Sequence, residues 1–70
     1  MTEKEIHERL LESARTEIEQ WRRANKLTEL EQMSYYNPVV SGIARAALFL
    51  LETKDYWKFC DEIRDMGGNI

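Results

Sequence analysis

The strongest constraint on the fold of this chain is the stretch of residues 37–53 near its middle, which opens with Asn-Pro and is apolar on most sides. The side-chain oxygen of Asn37 can accept a hydrogen bond from the first turn of a helix. Pro38 suits the first helical position, where its missing N–H is not needed and its fixed φ already matches the helix. We therefore predict a central helix over residues 38–52.

This central helix carries two apolar stripes. At about 100° per residue, they consist of Val39, Ile43, Ala46 and Leu50, and of Val40, Ala44, Ala47 and Leu51. A helix that is apolar on nearly all sides is normally buried. We therefore expect it to be the most buried helix of the protein, so that Leu50→Asp unfolds the chain. We expect Gly42 to admit the close approach of a neighbouring backbone.

Capping boxes predict where two further helices begin. Thr2 with Glu5 has the required spacing at the start of a first helix, and Thr28 with Glu31 repeats it for a short second helix. The first helix presents an apolar stripe with a clean helical period. That stripe consists of Ile6, Leu10, Leu11, Ala14, Ile18, Trp21 and Ala24.

A last helix is expected near the end of the sequence. Thr53 or Asp55 can cap it, and Gly67-Gly68 permits the left-handed conformation that ends a helix. Its inward stripe is Tyr56, Phe59, Cys60, Ile63 and Met66, with Trp57 off the stripe. The sequence therefore predicts a single all-α domain over residues 1–70, a small four-helix bundle-like fold with helices at 2–25, 28–35, 38–52 and 55–66.

Length and composition limit how this fold can be stabilised. Seventy residues lie near the size at which a lone hydrophobic core is marginal. Cys60 is the only cysteine and His7 the only histidine, so we expect no disulfide, no metal site and no cofactor. Tight helix packing or self-association is left as the source of additional stability. Cys60 lies on a predicted core stripe, where a thiol is typically inert.

The same features indicate a cytoplasmic protein without a membrane segment. A single cysteine fits a reducing compartment, the first ten residues are too charged for a signal peptide, and the longest apolar run, residues 46–51, is too short to cross a bilayer. The net charge of −3, from 10 basic and 13 acidic residues, argues against a general nucleic-acid binder, for which a basic surface is expected.

No catalytic residues are predicted. Catalysis requires a nucleophile with a base, paired carboxylates in a cleft or a metal site, and the sequence suggests none of these. His7 and Glu8 begin the zinc-protease pattern, but residue 11 is Leu, so the second histidine is missing. We expect His7 to cover the end of the core and the protein not to be an enzyme.

The predicted function is that of a small non-catalytic protein-protein interaction or regulatory module that forms a homodimer and binds an unidentified protein partner. Two flanking helices can cover the two stripes of the central helix but leave Leu48 and Phe49 exposed. Arg45 of one subunit could then pair with Glu52 of the other. The candidate partner-binding residues are Leu48, Phe49, Arg45, Glu52, Trp57, Tyr35 and Tyr36. In the competing monomeric arrangement, the loop at Tyr35 and Tyr36 covers this side instead.

The alternative function is a helix-turn-helix-like nucleic-acid-binding regulator, with residues 28–36 leading into the central helix. A recognition helix must present hydrogen-bonding side chains to base edges, and residues 38–52 offer few. The candidate nucleic-acid contact is therefore the basic end of the first helix, at Arg22, Arg23 and Lys26. The competing interpretation is a solvated helix end that complements the helix dipole.

Overall fold

A computed structural model describes residues 1–28 and 37–70, and this described part contains helices and no strand. The helices are α1 (Glu3–Ala24), α2 (Pro38–Leu50) and α3 (Thr53–Asp65). The all-α prediction is confirmed. The short helix predicted over residues 28–35 lies outside the described residues, apart from its first position. None of the described helices is long and apolar enough to cross a membrane.

Local sequence signals set the starts of α1 and α2 as predicted. Oγ1 of Thr2 accepts the N–H of Glu5 at 3.2 Å and donates to the Glu5 carboxylate at 3.1 Å. Oδ1 of Asn37 accepts the N–H groups of Val39 and Val40 at 3.0 and 3.2 Å, and the proline that follows occupies the first turn of α2. Both helices therefore begin with satisfied backbone donors.

The joint between α2 and α3 lies two residues earlier than the sequence predicts, at residues 51 and 52 instead of 53 and 54. Leu51 is extended and buried, and Glu52 takes the N-cap position of α3 without a side-chain hydrogen bond to that helix. The N–H of Glu52 donates instead to Oε1 of Glu3 at 3.0 Å. The prediction that Thr53 or Asp55 caps the last helix is therefore wrong, because a carboxylate from α1 satisfies the backbone at this joint.

The core lies where the three described helices meet. The predicted stripes of α1 and α3 face inward, except that Ala24 is exposed. The buried apolar residues are Ala14, Ile18, Val40, Ala44, Ala47, Leu51, Phe59, Cys60 and Ile63. Cys60 is a free cysteine within this core, in agreement with its predicted packing role.

Only one of the two apolar stripes of α2 is largely buried. Helices α2 and α3 each hold three buried residues, so the prediction that α2 is the most buried helix is wrong. Val39 is 50% exposed and Leu50 is 53% exposed, whereas Val40 and Ala47 are fully buried. Among the described elements, α1 and α3 also contact one another. Helix α2 therefore packs against both of them with the same side, and its opposite side is exposed. The expected unfolding by Leu50→Asp no longer follows.

Gly42 does not serve close packing. A Cβ atom placed on Gly42 would meet no heavy atom within 4 Å, and the residue is exposed. The prediction of a close neighbouring backbone at this position is therefore wrong, because both neighbouring helices lie against the opposite side of α2.

The glycine pair ends α3 as predicted. Gly67 has a φ of 92°, in the left-handed region that favours glycine. The N–H of Gly68 donates to the carbonyl of Ile63 at 2.9 Å, which is the long hydrogen bond of a Schellman motif.

The end of α1 adopts the same motif with a lysine in the glycine position. Lys26 has a φ of 53°, and its N–H donates to the carbonyl of Arg23 at 3.2 Å. The N–H of Leu27 donates to the carbonyl of Arg22 at 3.0 Å. The residue that ends α1 in the left-handed conformation is therefore a lysine instead of the usual glycine.

Candidate functional site

The first candidate surface is the exposed apolar side of α2, which we call the outer face: Val39, Ala46, Phe49 and Leu50. Helical geometry places Val39, Ala46 and Leu50 in one row with Phe49 beside it. Phe49 is 79% exposed, and none of the four side chains is charged. Large apolar side chains grouped on one exposed helix side indicate an interaction surface more strongly than scattered ones do.

The second candidate surface is a groove between α2 and α3 with a volume of about 710 Å³. We call it the α2–α3 groove. One wall comes from α2 and the other from α3, and the residues that follow α3 close one end. The lining side chains considered below are Ser41, Arg45, Leu48, Trp57, Arg64 and Asn69, with Gly42 at the backbone of the α2 wall.

The structure divides the predicted partner-binding residues between separate places. Arg45, Leu48 and Trp57 line the α2–α3 groove, whereas Phe49 lies on the outer face. Glu52 sits at the α2–α3 joint, where its N–H is bonded to Glu3. The exposed side of the central helix, on which the sequence analysis places Leu48 and Phe49 together, is therefore divided between two surfaces, and Glu52 belongs to neither.

The two predicted tyrosines, Tyr35 and Tyr36, lie outside the described residues. The competing arrangement, in which they cover the exposed side of α2, is not decided by the described part of the chain.

The charged side chains that line the described α2–α3 groove are both arginines, although the chain as a whole is acidic. No described residue that lines it has an acidic side chain. Arg64 donates to the Asp61 carboxylate and to the Ile70 main-chain oxygen, both at 3.2 Å. Arg45 is exposed and has no acidic partner among the described residues. Within the described part of the chain, the Arg45 guanidinium is therefore available to bind an anion at the groove.

Two aromatic side chains form part of the α3 wall of the groove. The rings of Tyr56 and Trp57 lie 5.4 Å apart at an interplanar angle of 59°. A hydrogen bond with the Cys60 side chain, assisted by burial, raises the pKa of the Tyr56 phenol above its ordinary value. The phenol therefore stays neutral at neutral pH and adds no negative charge to the groove.

The basic end of α1 is only partly exposed. Arg23 and Lys26 are exposed and Arg22 is half-buried. Nothing in their geometry singles out a phosphate site, so nucleic-acid contact at these residues stays a prediction.

His7 belongs to the packing between α1 and α3. Its ring lies edge-on to Phe59, with centroids 5.6 Å apart at 82°, and its Nε2 is 2.9 Å from Oε1 of Glu62. The prediction that His7 covers the end of the core is confirmed. Its pairing with Glu62 was not predicted, since no local signal links positions so distant in sequence.

A group of carboxylates lies at the α2–α3 joint. Oxygens of Glu3, Glu52 and Asp55 lie within 4.8 Å of one another, and oxygen ligands are those that hard cations take. However, Oε1 of Glu3 already accepts the Glu52 N–H, and exposed acidic groups often lie this close without an ion. We assign no metal site to this group.

Sequence reasoning found three groove residues and missed the groove itself. Gly42 carried the only available signal, since a glycine inside a helix requires a reason. The sequence favours close packing as that reason, whereas a Cβ at Gly42 would meet no described heavy atom within 4 Å. Asn69 carried no signal, because its place in the groove depends on how the chain turns after α3.

Comparisons with known proteins give no match: no protein-family model, no curated protein and no solved structure is similar to this chain. The outer face and the α2–α3 groove are therefore the basis for assigning a function.

Proposed function

We propose that this protein is a small non-catalytic helical module that acts by binding protein, and that it forms a homodimer through the outer face of α2. The supporting observation is the exposure of Phe49, at 79%. Burial of a large apolar side chain contributes roughly 1.5–3 kcal/mol. For a chain of 70 residues, whose own core is small, burying this face adds considerably to stability.

A second copy of the chain is a suitable partner for this face. The outer face is apolar and uncharged, so the surface opposite must also be apolar, and a two-fold contact presents the same patch from both subunits. If two α2 helices pair antiparallel, Val39 of one meets Phe49 or Leu50 of the other. The small Ala46 near the middle then allows the helix axes to approach.

The groove residues are not part of the proposed dimer contact. Leu48 is 53% exposed and Trp57 is 57% exposed, but both line the α2–α3 groove, which is separate from the outer face. The pair between Arg45 and Glu52 is not part of the proposal. Arg45 lies at the groove, whereas Glu52 lies at the α2–α3 joint.

Sedimentation equilibrium at micromolar concentration tests the dimer. We expect the wild type to sediment as a dimer and Phe49→Glu to weaken the dimer at least tenfold, which corresponds to about 1.4 kcal/mol. Thr16→Glu is the matched control, because Thr16 is exposed on α1 and the substitution adds the same charge. Circular dichroism establishes that both variants remain helical.

Two outcomes would contradict the proposal. A strictly monomeric wild type removes self-association. A dimer that Phe49→Glu and Thr16→Glu affect equally places the interface away from the outer face.

We further propose that the module acts in the cytoplasm and has a regulatory role through a protein partner. The support is compositional: Cys60 is free and buried, and unpaired cysteines are usual where thiols are kept reduced.

A further inference from the structure

We propose that the α2–α3 groove binds a small amphiphilic monoanion, specifically a carboxylate attached to an apolar chain. This site is distinct from the outer face and does not depend on the homodimer. Three properties of the groove support it: its open volume, its arginine side chains and its apolar walls.

The space in the groove suits a small ligand. Its volume of about 710 Å³ falls within the range of roughly 300–1,000 Å³ typical of ligand sites. Gly42 adds no side chain to the rim of the α2 wall. Glycine inside a helix is less stable than alanine, and no packing contact with a described residue explains its presence.

The charge of the groove specifies an anion. The whole chain has a net charge of −3, yet both charged side chains that line the described groove are arginines. Arg64 is already hydrogen-bonded to Asp61 and Ile70. Arg45 has no acidic partner among the described residues, so within that part of the chain its guanidinium can pair with an anion. A guanidinium binds a carboxylate through two parallel N–H groups.

The walls specify an apolar chain behind that carboxylate. Leu48 projects from α2 and is 53% exposed, and Trp57 projects from α3 and is 57% exposed. A hydrocarbon chain lying between them buries both side chains at once. The hydroxyl of Ser41 and the amide of Asn69 also line the groove without adding charge. The groove thus combines an apolar slot with a cationic side chain, Arg45, that has no acidic partner among the described residues.

NMR titration of the intact protein tests the site, with octanoate as the probe. We expect saturable shifts of the Ser41, Gly42 and Arg45 backbone amides and of the Trp57 indole N–H. Octanol has the same apolar chain without charge, and we expect it to bind about tenfold more weakly, as the loss of one charged hydrogen-bonding contact implies. Octylammonium, which reverses the charge, and acetate, which lacks the chain, should cause no saturable shift.

Two variants separate the charge from the space. Arg45→Gln should weaken octanoate binding about tenfold while leaving octanol binding unchanged. Arg23→Gln is the matched control, because Arg23 is an exposed arginine on α1 outside the groove. Ser41→Leu places a larger side chain in the groove from a half-buried position of α2; it should weaken binding of both probes at least tenfold, and circular dichroism checks that the variant stays folded.

The Phe49→Glu variant distinguishes this proposal from the homodimer, since it should retain octanoate binding whether or not it dimerises. Equal shifts from octanoate and octylammonium overturn the proposal. So do shifts confined to Val39, Phe49 and Leu50, which would indicate adsorption to the outer face. Failure to saturate at millimolar octanoate also overturns it.

Discussion

The residues that end the helices adopt backbone conformations that differ in their free-energy cost. Lys26 lies at a φ of 53° in the position of the end motif that glycine usually occupies. The left-handed region costs an ordinary residue roughly 1–2 kcal/mol. The protein accepts this conformation because it satisfies the last carbonyl groups of α1.

Replacing this lysine should therefore stabilise the protein. We expect Lys26→Gly to raise the free energy of unfolding by about 1 kcal/mol, measured by urea denaturation. Asn25→Gly is the control: Asn25 has a φ of −100° and its side chain donates to the Trp21 carbonyl at 2.9 Å, so that variant should be less stable than the wild type. Equal effects of the two substitutions would show that the left-handed conformation carries no strain.

Two glycines should respond to the same substitution in opposite directions. At Gly68 a Cβ would overlap Cγ2 of Ile63 and lie 3.1 Å from Cδ1 of Ile18, so Gly68→Ala should cost about 1–3 kcal/mol through overpacking. At Gly42 the added methyl meets nothing, so Gly42→Ala should gain about 0.5–1 kcal/mol. Thermal unfolding followed by circular dichroism gives both values. Loss of stability in both variants would contradict the open position of Gly42.

At the scale of whole helices, the C-terminal end of α2 has one buried side and one exposed side. Leu51 is 7% exposed and its neighbour Leu50 is 53% exposed. An unpaired charge strongly destabilises the folded protein at a buried position and has little effect on stability at a solvent-exposed one. The two leucines therefore form a natural pair for one substitution.

We expect Leu51→Asp to unfold the protein or to cost more than about 4 kcal/mol. Leu50→Asp should cost about 1 kcal/mol or less in the folded monomer, while weakening any dimer through the outer face. Urea unfolding at low protein concentration measures the first effect and sedimentation the second. Similar losses of stability in the two variants would mean that both stripes of α2 are buried.

Helix α2 also shows which features of the fold could be predicted from the sequence and which could not. The start of α2 was predictable, because the cap at Asn37 and the proline after it act within one turn. Its burial was not, because an apolar residue such as Val39 or Leu50 suits either side of the helix. Which stripe is covered depends on how the two neighbouring helices contact one another, and helical periodicity carries no information about that.

At the scale of the whole molecule, α2 supports both proposed surfaces on different flanks. The exposed positions of Phe49 and Trp57 were predictable, since each falls off the inward stripe of its helix. The groove was not, because it combines α2, α3 and the residues after α3, including Asn69. A site assembled from three segments becomes visible only once their arrangement is known.

The contacts of the first turns of α1 with residues far along the chain have a consequence for how the protein is made. Glu3 bonds to a residue 49 positions later, and His7 bonds to one 55 positions later. Such contacts close long loops and form late. Although α1 is translated before α2 and α3, its apolar stripe cannot make its contacts with them until both have been translated, which takes a few seconds at roughly 5–20 residues per second. During that interval apolar surface that is buried in the folded protein is exposed, and such surface favours aggregation.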